Sequence, residues 1–185
     1  MGRTKRGTSP SGAEQGRIAC LTKRESRTVQ ESLVAEMMEA VGFGFREQWL
    51  LRTAGEALVF DFLVEGRVLV ECTQSTHRNC SRAWTVLWQR AIYLDYKFRL
   101  AKEAGSFTTM TLLEVSHCGH YQKRVLTQER LATLTHTNYL VTTIPALGEH
   151  LIGVLNSETG DPVPSWQAES LSRWLNPEPD KEENP

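Results

Sequence analysis

From Thr28 onward, apolar positions recur at helical spacing: Val29, Leu33 and Met37, with Val34, Met38 and Val41 alongside. The tetrad Thr28 to Glu31 reads as a capping box, and Gly42 as a left-handed stop, so the spacing predicts a helix here. The pattern then changes to strands, at 43–52, 58–64 and 67–73, with Glu65 and Gly66 as the turn between the last two. A polar loop follows, then a long helix over 82–105 that ends at Gly105. A fourth strand is expected at 107–117 and a helix at 122–134. Short strands are expected at 138–144 and 150–155, and an amphipathic helix at 164–175 opened by Pro164 and Ser165. The order αβββαβα, with strands and a short helix appended, points to a single α/β domain.

Two residues break this pattern. Glu71 sits at the end of the apolar run Val68, Leu69, Val70, and Asp61 lies between Phe60 and Phe62. Side chains alternate across a strand, so Glu71 shares a face with Leu69 and Thr73, opposite Val70 and Cys72. Two carboxylates amid apolar residues on adjacent strands repel and lose hydration unless something compensates. Pairing with Arg52 or Arg67 is one solution. A divalent cation is the other, since Mg2+ takes hard oxygen ligands, commonly one or two carboxylates plus substrate phosphates.

Sharing a cation constrains the hairpin. Cross-strand partners point the same way, so Asp61 and Glu71 can meet only if paired residue numbers sum to an even value. A two-residue loop at Glu65 and Gly66 gives an odd sum. A three-residue loop or a bulge is therefore predicted, with Gly66 left-handed.

Composition narrows the class. Of 185 residues, 40% are hydrophobic and 23% charged, the balance of an ordinary globular protein. No apolar run approaches the roughly 18 residues of a membrane span, and the N-terminus lacks the apolar core of a secretory signal. Four cysteines (Cys20, Cys72, Cys80, Cys118) form no dense framework, so the expected compartment is a reducing cytoplasm. Net charge is −1, yet basic residues concentrate in 1–30 and again in 77–104, offset by an acidic C-terminus. The expected organisation is a disordered basic arm (1–25), a folded domain (26–175) and a disordered acidic tail (176–185).

The long helix adds Gln89, Tyr93 and Lys97 at intervals of four, one stripe along its surface. Amide and phenol on such a stripe can contact a nucleic-acid strand by hydrogen bonding and stacking. Arg78, Arg82, Arg90 and Arg99 are the candidates for phosphate contacts.

Together, Asp61, Glu71 and Thr73 followed by Gln89 to Tyr93 resemble the PD-(D/E)xK nuclease superfamily with the Gln-x-x-x-Tyr motif of its RecB-type branch. The preceding stretch is similar to the very-short-patch-repair-like branch: Glu31 on a helix, then GFGFREQ, a DF strand, a strand ending in a carboxylate, and His77. The resemblance spans roughly Thr28 to Val115. It implies a restriction-endonuclease-like domain with a central mixed sheet flanked by helices, an αβββαβ core. It further implies a Mg2+-dependent DNA endonuclease, Mn2+ substituting, with no organic cofactor and no membrane partner. Asp61 and Glu71 would ligate the metal and the Cys72 backbone carbonyl would add a ligand. Glu31 would join through water, unless it serves only the capping box. DNA is the implied partner, and a homodimer where both strands are cut, although no dimer face is legible.

One position departs from the pattern. The family's lysine, two residues after the second carboxylate, is Thr73 here, a residue able at most to donate a hydrogen bond. In some branches this lysine migrates to the following helix, where Lys97 is the candidate. Otherwise the same scaffold would serve as a catalytically inactive nucleic-acid-binding or assembly module. A further alternative is zinc, held by His77 and Cys80 with His117, Cys118 and His120.

Overall fold

The structure is a computed structural model, and it describes residues 28–53, 55–75, 80–115, 126–159 and 165–176. Helix α1 (Val29–Val41) starts where Thr28 leaves extended backbone and its Oγ1 accepts from the Glu31 amide at 3.2 Å. It stops at Gly42, whose φ of 79° lets its amide turn back to the last helical carbonyls. The buried stripe is Gln30, Val34, Met37, Met38 and Val41, whereas Val29 and Leu33 face outward. The apolar repeat read from the sequence is thus rotated by about one residue, and the polar Gln30 takes an inward position.

Strands β1 (Phe45–Arg52), β2 (Ala57–Val64) and β3 (Val68–Ser75) form an antiparallel meander. Helix α2 (Cys80–Ala104) then crosses over to β4 (Thr108–Val115), which runs parallel to β3, as such a connection requires. After the short helix α3 (Gln128–Leu131), strand β5 (Tyr139–Val141) adds parallel to β4. Helices α4 (Ile144–Thr159) and α5 (Ser165–Leu175) complete the chain order. The protein is therefore α/β, with a five-stranded mixed sheet ordered β1-β2-β3-β4-β5.

Helices cover both faces. On one side α1, α4 and α5 pack on Phe62, Val64, Val68, Val70, Met110 and Leu112. On the other, Leu94, Phe98 and Ala101 of α2 pack on Leu58, Phe60, Leu63 and Leu69, and Trp84 and Leu87 pack on Leu113. Each fully buried side chain of this size contributes about 1.5–3 kcal/mol. Gly148 marks a close approach within the first layer, since a Cβ there would meet Leu171 Cδ1 at 2.8 Å and Met37 Sδ at 3.2 Å.

Three expectations change. Residues 150–155 lie inside α4, not in a strand, because Ile144, Leu147, Leu151, Val154 and Leu155 repeat at helical spacing over a longer window. The strand at 138–144 shortens to Tyr139–Val141, and the helix near 122–134 to Gln128–Leu131, with 122–125 outside the described residues. The basic arm and all but the first residue of the acidic tail also lie outside them. Among the described residues, no helix is long and apolar enough to cross a membrane.

Candidate active site

The β2–β3 hairpin pairs Val64 with Val68, leaving Glu65, Gly66 and Arg67 in the loop. Gly66 has φ 71°, and Glu65 is also left-handed at φ 49°. Gly44 holds Glu65 in place, its carbonyl accepting from the Glu65 amide at 2.7 Å and its amide donating to Glu65 Oε1 at 2.6 Å. The loop has the three residues that the parity argument required. Continued past the last pair, Phe62 with Val70, this register sets Asp61 opposite Glu71.

Pairing between β2 and β3 ends there, while β3 stays paired to β4 as far as Ser75. The carboxylates therefore stand where the two strands part. Asp61 Oδ2 reaches across the fork and accepts from the Cys72 amide at 2.8 Å. A strand residue's N–H and C=O leave by the same edge, so the Cys72 carbonyl faces the gap that Asp61 occupies.

At this level the β1–β2 ribbon also turns over. Phe60 packs in the α2-side core and Phe62 in the opposite core, although residues two apart on a regular strand share a face. Their partners follow: Glu47 pairs with Phe62 and Trp49 with Phe60, with no pair recorded between Gln48 and Asp61. Gln48 takes up the turnover with φ 44°, a conformation that costs a non-glycine residue on the order of 1–3 kcal/mol. Its Oε1 is buried and accepts no hydrogen bond.

Glu71 projects on the α2 side, like Leu69, and is only 3% exposed. Its partner is not an arginine. Lys97 Nζ donates to Glu71 Oε1 and to the Val59 carbonyl, and lies 4.3 Å from the centre of the Phe60 ring. Lys97 belongs to the buried edge of α2, beside Leu94, Phe98 and Ala101. Sequence position alone put this lysine on the following helix, and the fold brings it to the second carboxylate. Thr73 shares Glu71's face one step further along β3, paired in register with Leu113.

The electrostatics are unbalanced despite Lys97. Burial, and next the Asp61 charge, raise the Glu71 carboxyl from 4.5 to about 7, against the opposing pull of Lys97 and then Arg90. Burial also pushes the Cys72 thiol up, helped in turn by Asp61, Glu71, Glu31 and Glu114. Four carboxylates therefore act on Cys72. Asp61, Glu71 and the Cys72 carbonyl are oxygen donors of the kind a hard divalent cation takes, and a cation among them would offset the Asp61 charge that raises Glu71. Among the described residues, no three His, Cys, Asp or Glu side chains group so as to hold a metal ion.

Glu31 lies in the first turn of α1, where its amide is capped by Thr28. Its neighbour Gln30 is the buried one, donating through Nε2 to Glu114 Oε2 at 3.1 Å. Gln74 Nε2 approaches the same oxygen at 3.4 Å. Glu114 ends the apolar run of β4 just as Glu71 ends that of β3, and neither it nor Gln48 nor Thr111 is among the residues singled out from the sequence. Thr111 is fully buried beside Glu71 in register and its hydroxyl has no partner.

Of the predicted nucleic-acid contacts, Gln89, Arg82 and Arg90 are exposed, and Tyr93 is 54% exposed. Arg90 lies 5.0 Å from the centre of the Tyr93 ring, and its charge reaches Glu71. Arg90, Tyr93 and Lys97 thus line one edge of α2. Arg99 is placed apart from them: two residues beyond Lys97, it lies about 200° around the helix, paired with Glu103 at 2.9 Å. Arg78 and the zinc candidates His77, His117, Cys118 and His120 lie outside the described residues, as does the Cys80 side chain.

Comparison of the chain with family models, with curated proteins and with solved structures finds no match.

Proposed function

We infer that the chain is a restriction-endonuclease-like phosphodiesterase that hydrolyses DNA with Mg2+ or Mn2+. The observation that carries this reading is the meeting of three groups from separate elements. Asp61 of β2 and Glu71 of β3 flank a fork, and Lys97 of α2 donates to Glu71. The αβββαβ order with a parallel β3–β4 pair supports the same reading.

The chemistry assigns each residue a task. Asp61, Glu71 and the Cys72 carbonyl would hold the cation. A cation held there would supply positive charge beside the scissile phosphate and the acidity that activates water. Lys97 would take the role of the motif lysine, orienting water and offsetting charge that develops on the phosphate, which Thr73 cannot do. Gln89, Tyr93 and Arg90 lie on the same side of α2 and would take the adjacent strand. The test is cleavage of plasmid and single-stranded DNA by the wild type, Asp61→Ala, Glu71→Ala and Lys97→Ala, with Mg2+, Mn2+ and EDTA.

A second reading is a catalytically silent nucleic-acid-binding module on the same fold. It is favoured by the Lys97–Glu71 contact itself, which pairs a buried anion with a cation already in the chain. DNA binding without cleavage under every metal condition would select it.

A further inference from the structure

We propose that Gln48 is a third side-chain oxygen donor of the cation site. This rests on the nuclease reading above and adds a residue to it. Two unfavourable features coincide at Gln48: a left-handed backbone in a strand, and a buried carbonyl oxygen with no hydrogen bond. Both occur at the residue that the β1–β2 register sets opposite Asp61, where the ribbon turns over.

Turning the ribbon over does not call for glutamine. Glycine adopts positive φ without strain, and asparagine does so more readily than longer side chains. An apolar side chain would leave no orphaned acceptor. What glutamine alone adds at this position is a neutral hard oxygen on a long arm, a ligand type that divalent cations accept beside carboxylates.

The experiment is calorimetric titration of the full chain with Mn2+ alone, alongside thermal melting in EDTA. Gln48→Gly removes the oxygen and relieves the backbone. It should bind Mn2+ at least tenfold more weakly while melting in EDTA at or above the wild-type temperature. Gln48→Asn, which keeps the amide but withdraws it by one carbon, should also bind more weakly. Gln48→Glu, which restores an oxygen at full reach, should recover wild-type affinity or exceed it. A residue with a merely structural role would change melting and leave Mn2+ affinity alone. Wild-type affinity in both Gln48→Gly and Gln48→Asn overturns this assignment and leaves the nuclease reading standing. A wild type that does not bind Mn2+ overturns both.

Discussion

Lys97, deep on the buried edge of α2, donates its ammonium to Glu71, 26 residues earlier on β3. The contact ties the crossover helix to the parting of two strands and gives a carboxylate that is 3% exposed a direct cationic partner. Much of what can be measured on this protein follows from how incompletely that partner compensates Glu71.

The first consequence is a stability that depends on pH with an unusual sign. The folded Glu71 carboxyl is raised to about 7, chiefly by burial, while the unfolded one titrates near 4.5. Between these values the folded chain keeps a proton that the unfolded chain has lost. Stability therefore falls as pH rises through this window and levels off above it, by about 3 kcal/mol in all if the shift is fully expressed. Urea denaturation in EDTA at a series of pH values should show this fall in the wild type and a flatter profile in Glu71→Gln. Superimposable profiles would contradict it.

Removing the partner should move the window upward. Lys97 opposes the rise of the Glu71 carboxyl, by its charge and by its hydrogen bond. In Lys97→Met the carboxyl should therefore hold its proton to higher pH. The variant should lose little stability near pH 6, where Glu71 is largely neutral. Near pH 9, where the wild-type Glu71 is ionised and paired, the loss should be larger than near pH 6 by up to about 2.7 kcal/mol. The pH dependence of the difference, read from paired urea titrations, separates this from a plain packing defect.

The arginines of α2 should divide into two classes. Arg90 is exposed beside Tyr93 and its charge reaches Glu71, whereas Arg99 is bound to Glu103 on a distant arc of the helix. For duplex DNA, each lost phosphate contact lowers the slope of log affinity against log salt by about 0.9. Arg90→Ala should reduce the slope by roughly that amount and Arg99→Ala should leave it unchanged. Fluorescence anisotropy over a salt series in Ca2+ checks both. A wild-type affinity that is flat with salt would remove the nucleic-acid reading.

Behind α2 a different carboxylate is structural. Asp95 accepts from the backbone amides of Thr135, His136 and Thr137 at 3.2, 2.9 and 2.6 Å, fixing the approach to β5. Asp95→Ala leaves those amides without acceptor and should cost about 3 kcal/mol, read as a lower urea midpoint with an unchanged slope. Asp95→Asn, which keeps one acceptor oxygen, should lose less. Neither should change the pH window assigned to Glu71.

Much of this was legible from the order of residues. Parity alone required a third loop residue before Asp61 and Glu71 could meet, because side-chain period in a strand is fixed. Lys97 was legible because a helix that follows β3 and returns antiparallel to it must pass back over the sheet. Gln48 was not: nothing in a β-rich stretch announces a left-handed torsion, which comes from two cores pulling Phe60 and Phe62 to opposite faces. Gln30 was hidden because a one-residue rotation of α1 exchanges it with Val29, and the apolar count favoured the valine. Helix α4 was missed where a six-residue window, 150–155, fits either period. Glu114 was legible by the rule that singled out Glu71.

Cleavage by the wild type and Lys97→Ala, each given Mg2+ or Mn2+ with plasmid and single-stranded DNA, is the most direct test of the reading as a metal-dependent nuclease. The expected result is cleavage by the wild type that EDTA abolishes. In Lys97→Ala the rate should be lower by on the order of 10²–10³, with DNA binding in Ca2+ nearly unchanged. A wild type that binds DNA but cuts neither substrate with either cation, or a Lys97→Ala variant that cuts as fast as the wild type, would contradict it.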